Sequence, residues 1–294
     1  MQEFGDLLCA LAAARPSKQQ GEAQDQEKAI ETAKSPEEKQ VVDLLDEALA
    51  SGRINMEQYR ANIKITFLTA HENAQQLLNS AFWVLGQGQK GLDLQEKIRA
   101  EVLATEITEP SAEVLNAMPV LTSVILELLR LYPPVSQLIN RVTLEPAILG
   151  GAIQIPKRTW VGWNAYGAHV DPANWGPNVM EFEPSRWGKT TEAMSAKVRR
   201  DCVAGRYIPF NAHSRKCLGQ GFALLEMKIV LFELVRRTKW TVDPTYKLKL
   251  TSVSREPRFS SPNVLRPVTM VLSRVTKARS ERMDIFRLVF WYFG

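Results

Sequence analysis

The stretch Pro209-Phe-Asn-Ala-His-Ser-Arg-Lys-Cys-Leu-Gly219 runs straight into a segment in which Leu218, Phe222, Leu225, Ile229 and Phe232 recur in steps of four and three. That spacing predicts a helix from Leu218 onward, with Cys217 at its mouth. A cysteine there lies near unsatisfied backbone N–H groups and the positive end of the helix dipole. Both favour the thiolate over the thiol. A thiolate so placed accepts amide hydrogen bonds and can still hold a metal ion. Gly219 and Gly221 leave room for a flat cofactor to approach the backbone. Arg215, two residues before the cysteine, can direct its guanidinium at a carboxylate of that cofactor. An isolated cysteine is most often a small buried hydrophobe, so the reading depends on what accompanies this one.

Two charged motifs accompany it. Glu127-Leu-Leu-Arg130 sets an acid and a base at i and i+3 on one helix face. Alone, such a pair on a surface contributes little. Downstream, Phe182-Glu-Pro-Ser-Arg186-Trp187 offers a second arginine in a proline-bounded loop. Glu127 with Arg130 and Arg186 makes a two-to-one charge cluster, which can be buried only if every donor finds an acceptor.

The rest of the chain is mainly helical by pattern, with a minor antiparallel β portion. Residues from about Arg15 to Gln40 are polar and nearly free of aromatics, and read as a linker. A short helix is expected over Val41–Ala50. Asn55-Met-Glu-Gln58 carries a capping pattern and opens a helix reaching about Gly86, with Ile63, Phe67, Ala70, Leu77, Ala81 and Leu85 on its buried face. Further helices are expected over 92–104 and Pro119–Leu131, the latter stopped by Tyr132-Pro-Pro134. Short β-prone pieces lie at 142–144, 153–155, 159–162, 246–250 and 268–272.

The 294 residues include only three cysteines, Cys9, Cys202 and Cys217, which argues against a disulfide framework. No segment has the run of about 18 to 20 apolar residues needed to span a bilayer. The formal net charge is a mild +5, and the basic residues between Lys197 and Lys239 interleave with apolar ones. That pattern suggests one basic face and no nucleic-acid partner.

Taken in order, E-x-x-R, then F-x-P-x-R-W, then F-x-x-x-x-R-x-C-x-G resembles the arrangement of the cytochrome P-450 family. The flanks agree: Leu126–Pro134, Tyr166-Gly-Ala-His-Val-Asp-Pro172 and Trp175-Gly176 are similar to family sequence. The motif resemblance runs from about Asn55 to Leu272. It implies a haem-thiolate monooxygenase carrying haem b, which oxidises a small organic molecule in fungal secondary metabolism. Dioxygen and electrons from an NADPH-cytochrome P-450 reductase-type donor would serve the reaction. Cys217 would be the iron ligand, Arg215 and Arg141 would bind the haem propionates, and Phe210 would pack beside the thiolate next to Gly219. Glu127, Arg130 and Arg186 would form a structural lock. Lys197, Arg199, Arg200, Arg206, Lys216 and Lys228 would face the acidic surface of the electron donor.

In Thr69-Ala-His-Glu-Asn73 the resemblance extends to the family's oxygen-binding kink, with Glu72 as proton relay. Asn73 departs from the usual threonine, and an amide donates protons less readily than a hydroxyl. His213 departs from a usual glycine. Histidine tolerates left-handed backbone better than branched residues, though still at a cost. A fungal subgroup resembling the dityrosine-forming enzymes of spore walls is expected to share this loop.

The expected division is 1–54 as an N-terminal helix, linker and short helix, 55–274 as the haem-binding core, and 275–294 as an atypical tail. Relative to the family, the N-terminal part of the fold is expected to be missing. Full-length relatives face the cytosol at the endoplasmic reticulum membrane. No anchor is expected in this chain, and membrane association would need one in a full-length form. The competing expectation is a truncated, catalytically inactive haem-binding remnant, or a mispredicted gene product.

Overall fold

The computed structural model describes residues 40–243 and, beyond them, the strand residues 250–251, 263–264, 269–274 and 281–284. Cys9, the polar stretch before Gln40, and most of the 246–250 and 275–294 segments lie outside the described residues. The chain divides into two compact units between Glu72 and Asn73.

The first unit holds α1 (Val41–Ala50) and the start of α2 (Met56–Gly86). Asn55 Oδ1 accepts from Gln58 N at 2.8 Å while Gln58 Oε1 accepts from Asn55 N at 3.0 Å, the reciprocal cap expected from the sequence. Tyr59 Oη donates to Asp46 at 2.8 Å, joining α2 to α1. Of the apolar face expected on α2, Ile63, Leu77, Ala81 and Leu85 are buried, whereas Phe67 and Ala70 are exposed.

In the second unit, α3 (Gly88–Leu103), α4 (Ala112–Asn116), α5 (Pro119–Leu131) and α9 (Gln220–Arg237) pack on one another. Their core includes Ile98, Val102, Leu115, Leu121, Leu128, Leu231, Phe232 and Val235. Pro119 opens α5 where a missing N–H costs nothing. The Glu101 carboxylate takes the next two N–H groups, Val120 and Leu121, both at 2.8 Å. Burial raises the Glu101 carboxyl above the usual range despite those two bonds.

Small antiparallel ladders flank the helices. β1 (Gln137–Val142) pairs with β4 (Trp160–Asn164), and β2 (Ala147–Leu149) with β3 (Ile153–Ile155). Short helices α6 (Ala165–His169) and α7 (Pro172–Trp175) follow, then a 3-10 turn at Pro184–Trp187 and α8 (Thr191–Val203). Sequence periodicity does not reveal α8, because only Met194 of its apolar residues is buried.

After α9 the chain enters β5 (Thr238–Val242). Arg99 of α3 holds this junction by donating to Val235 O at 2.7 Å and to Thr238 O. Two-residue β6 (Leu250–Thr251) and β7 (Asn263–Val264) pair with each other. β8 (Thr269–Arg274) and β9 (Glu281–Asp284) extend the β5 sheet in the order β5-β8-β9. The architecture is mainly α with minor antiparallel β. Among the described residues, no helix is long and apolar enough to cross a membrane.

Candidate functional site

The loop before α9 turns tightly by using left-handed backbone at two non-glycine positions, Asn211 (φ 63°) and His213 (φ 53°). His213 therefore occupies the conformation for which glycine is best suited, at some cost in strain. The Asn211 side chain softens the turn by accepting from Ala212 N at 2.8 Å. A 3-10 turn over His213–Arg215 follows, and Cys217 N then donates back to Phe210 O at 2.8 Å, closing the loop. Phe210 is half-buried against the main core. Arg215 and Cys217 are exposed.

Gly219 is the N-cap of α9, and no side chain caps it. The first N–H groups of α9 therefore have no side-chain cap to accept from them. A Cβ added at Gly219 would meet only Cys217 Sγ, at 3.9 Å, and one at Gly221 would meet nothing within 4 Å. An exposed sulfur thus stands at the open N-terminus of an 18-residue helix, with clear space along the backbone.

The apolar stripe of α9 is only partly covered. Leu218 is fully exposed, Phe222 is 66% exposed and Ile229 is exposed, while Met227, Lys228, Leu231, Leu234 and Val235 make the buried face together with Phe232. The first turn therefore presents bare hydrocarbon beside Cys217, which water alone does not favour. An exposed sulfur donor, an uncapped helix start and an apolar face fit a flat, largely apolar group such as haem. Cys202 is different. It ends α8 half-buried against Ala165 and Ile208, as an ordinary packed thiol does.

Glu127, Arg130 and Arg186 come together. Glu127 and Arg130 are wholly buried. Glu127 Oε1 accepts from Arg130 Nη2 (2.8 Å), Arg186 Nε (2.9 Å) and Glu183 N (3.0 Å). Its Oε2 accepts from Arg130 Nε and Trp187 Nε1, both at 2.9 Å. Arg130 spends its remaining donors on backbone carbonyls: Nη1 on His169 O (2.9 Å) and Val179 O (2.7 Å), Nη2 on Glu181 O (3.2 Å). Arg186 reaches Trp175 O and Asn178 O. Glu181 and Glu183 contribute through their backbone; the Glu183 carboxylate turns outward to Ser185 and, at 3.6 Å, Lys90. Sequence reasoning placed the three charges but missed Trp187 as a donor.

It also missed His169, which is fully buried. Its Nδ1 lies 3.2 Å from Arg130 O, and its Nε2 lies 2.9 Å from Ile208 N, just before the cysteine loop. Burial, reinforced by the Arg130 charge, lowers its pKa to about 3. Tyr207 next to it donates to Leu126 O at 3.0 Å, and burial drives its phenol well above the ordinary value.

The remaining expected residues lie on other elements. Arg141 stands exposed on β1, in register with Val161. On α2, Glu72 is exposed and Asn73 half-buried, and the helix runs unbroken through both. The basic face is smaller than the sequence suggests. Lys228 is buried, bonded to Asn116 at 2.9 Å, and burial lowers its pKa. Lys197 turns in to Asp201 at 2.7 Å and lies over the Trp175 and Trp187 rings. Arg199, Arg200 and Lys216 remain exposed.

Comparison with known proteins identifies the family. The family described as Cytochrome P450 matches residues 17–264, further upstream than the motifs reach, because residues before Asn55 carry no short signature. The "Cytochrome P450 monooxygenase xanG" of Aspergillus fumigatus is 58% identical over 254 residues, covering 86% of this chain and 45% of that protein. The "Cytochrome P450-DIT2" of Saccharomyces cerevisiae is 38% identical over 198 residues, covering 67% of this chain and 39% of that protein. The chain thus spans under half the length of the curated relatives it matches. Haem held by a cysteine thiolate is what such relatives imply. With the family description covering most of its length, the chain belongs to the cytochrome P450 family.

Proposed function

We propose that this chain forms the haem-thiolate portion of a monooxygenase, with Cys217 as the iron ligand. The observation that carries the reading is the exposed Cys217 sulfur at an uncapped helix N-terminus, flanked by bare Leu218 and Phe222. Haem bound there supplies oxygen activation.

The chain's own residues set the conditions for that chemistry. The first N–H groups at the uncapped start of α9 would stabilise negative charge on the Cys217 sulfur. Phe210 excludes water from one side, and its carbonyl fixes the Cys217 amide. Arg215 and Arg141 pair with the propionates, and Gly219 gives clearance. Glu127, Arg130 and Arg186 hold the segments behind the loop. Glu72 delivers protons, and Asn73 positions water. A small organic molecule of fungal secondary metabolism is the substrate. A flavin-containing reductase at the endoplasmic reticulum surface is the electron donor, docking on the side of Arg199, Arg200 and Lys216.

The reduced, carbon monoxide-treated spectrum of the haem-loaded protein tests the ligand. A red-shifted, thiolate-type Soret band is expected, lost in Cys217→Ala and kept in Cys202→Ala. A band at the imidazole-like position in the unsubstituted protein would instead favour a haem-binding remnant. A thiolate-type band that survives Cys217→Ala refutes the assignment.

A further inference from the structure

Between the buried charge cluster and the cysteine loop lies His169, a buried titratable group that the chemistry above does not use. It grips Arg130 reciprocally: its backbone carbonyl accepts from Arg130 Nη1 at 2.9 Å, while its ring Nδ1 is 3.2 Å from the Arg130 carbonyl. On the other side of the ring, Nε2 is 2.9 Å from Ile208 N. An amide N–H can only donate, so Nε2 holds the lone pair and Nδ1 the proton; the network assigns this tautomer. Burial keeps the ring neutral at ordinary pH.

From Ile208 the path continues through backbone alone. Ile208 O accepts from Asn211 N at 3.1 Å, and Phe210 O accepts from Cys217 N at 2.8 Å. Tyr207 fixes the same segment on the α5 side through Leu126 O. Four hydrogen bonds therefore lead from the Arg130 carbonyl to the Cys217 amide, and only the first two involve a side chain, that of His169.

We propose that His169 is a positioning residue for Cys217, its Nε2 lone pair fixing where the Ile208–Phe210 segment leaves the charge cluster. This rests on Cys217 being the ligand. The acceptor nitrogen matters more than the bulk of the ring, because a buried Ile208 N–H without an acceptor would pull the segment away.

Three substitutions separate these roles. His169→Gln carries its side-chain oxygen to the Nε2 position. His169→Asn reaches the Arg130 carbonyl but stops short of Ile208. His169→Leu does neither. Two readouts apply to the full chain: amide exchange at Ile208, and the reduced, carbon monoxide-treated spectrum at matched haem content. Exchange at Ile208 should rise about tenfold or more in His169→Leu and His169→Asn, the loss expected for one buried hydrogen bond. Their thiolate-type band should give way to the imidazole-like one. His169→Gln should stay within about threefold in exchange and keep the thiolate-type band. Should His169→Leu not fold, the Gln and Asn variants still decide. Wild-type exchange and spectrum in His169→Asn, or loss of both in a folded His169→Gln, overturns the proposal. Cys217→Ala run in parallel isolates the ligand assignment: if the thiolate-type band survives it, that reading fails, while Ile208 exchange still reports on the His169 bond.

Discussion

Glu127→Gln is the most informative single change in the buried cluster, because it preserves volume and removes charge. The carboxylate accepts five hydrogen bonds, three at Oε1 and two at Oε2. An amide has one oxygen, so whichever way it is turned, its NH2 meets at least two donors head on. Arg130, with no exposed surface, would lose its only carboxylate and keep only carbonyl partners. Breaking a buried pair costs about 3 to 5 kcal/mol, and orphaned N–H groups fall within that figure rather than adding to it. With a urea m-value on the order of 3 kcal/mol per molar, the midpoint should fall by about 1 to 1.7 M. Trp187 donates directly to Glu127, so its fluorescence reports on the site itself. Arg186→Ala should cost less, about 1 to 3 kcal/mol, since four of the five bonds to Glu127 remain. A Glu127→Gln protein whose midpoint lies within about 0.3 M of wild type would show that the cluster contributes shape and not charge.

Three further predictions concern different parts of the chain. His169 has its folded pKa lowered to about 3 from 6.5, so below pH 6.5 the unfolded state binds the extra proton and stability falls with pH. The loss should be about 1.4 kcal/mol per unit, roughly 2 kcal/mol at pH 5, and His169→Gln should remove that slope; identical slopes in chemical denaturation would contradict it. Glu101, its carboxyl raised by burial, acts in the opposite sense, so the comparison is between the two proteins rather than the raw curve. Charge reversal at Arg199, Arg200 and Lys216 should slow electron input from an acidic reductase at low salt and matter little above roughly physiological ionic strength, whereas Lys228→Glu should lower stability instead, because that side chain is buried. In a full-length form, Glu72→Gln should raise the peroxide released per electron pair well above wild type, and Asn73→Thr should lower it or leave it unchanged; equal leakage from all three would deny this stretch a part in proton delivery.

How legible these features were in the sequence follows from how local their causes are. The Asn55–Gln58 cap and the stop of α5 before Pro133 depend on residues a few positions apart, and the chain adopts them as read. Helix α8 was invisible because Thr190 caps a stretch with almost no apolar period; its one buried acid, Asp201, is matched by Lys197 one turn back. The α9 stripe foretells a helix but not its burial. Periodicity reports that one face is apolar, not what covers it, and in α9 the residues nearest Cys217 are left bare while the core is made by Met227, Leu231 and Val235. A helix that binds a cofactor and packs on a core is apolar on two sides, and a single sequence gives no means of ranking them.

The charge cluster shows the same division between residues and placement. Spacing joined Glu127 to Arg130, and the proline-bounded loop suggested Arg186, but nothing local indicated that Trp187 and the Glu183 amide complete the acceptor's set. His169 lies at the far end of this scale. Its partners are 39 residues away in both directions, at Arg130 and Ile208, and neither bond involves a partner side chain. Such a residue leaves no pairwise signature in a motif, because any amino acid at 130 or, proline excepted, at 208 would offer the same backbone group. Its importance is visible only once the fold has brought α5, α6 and the cysteine loop to one place. There a neutral ring donates to one segment and accepts from the other without placing a second positive charge beside Arg130.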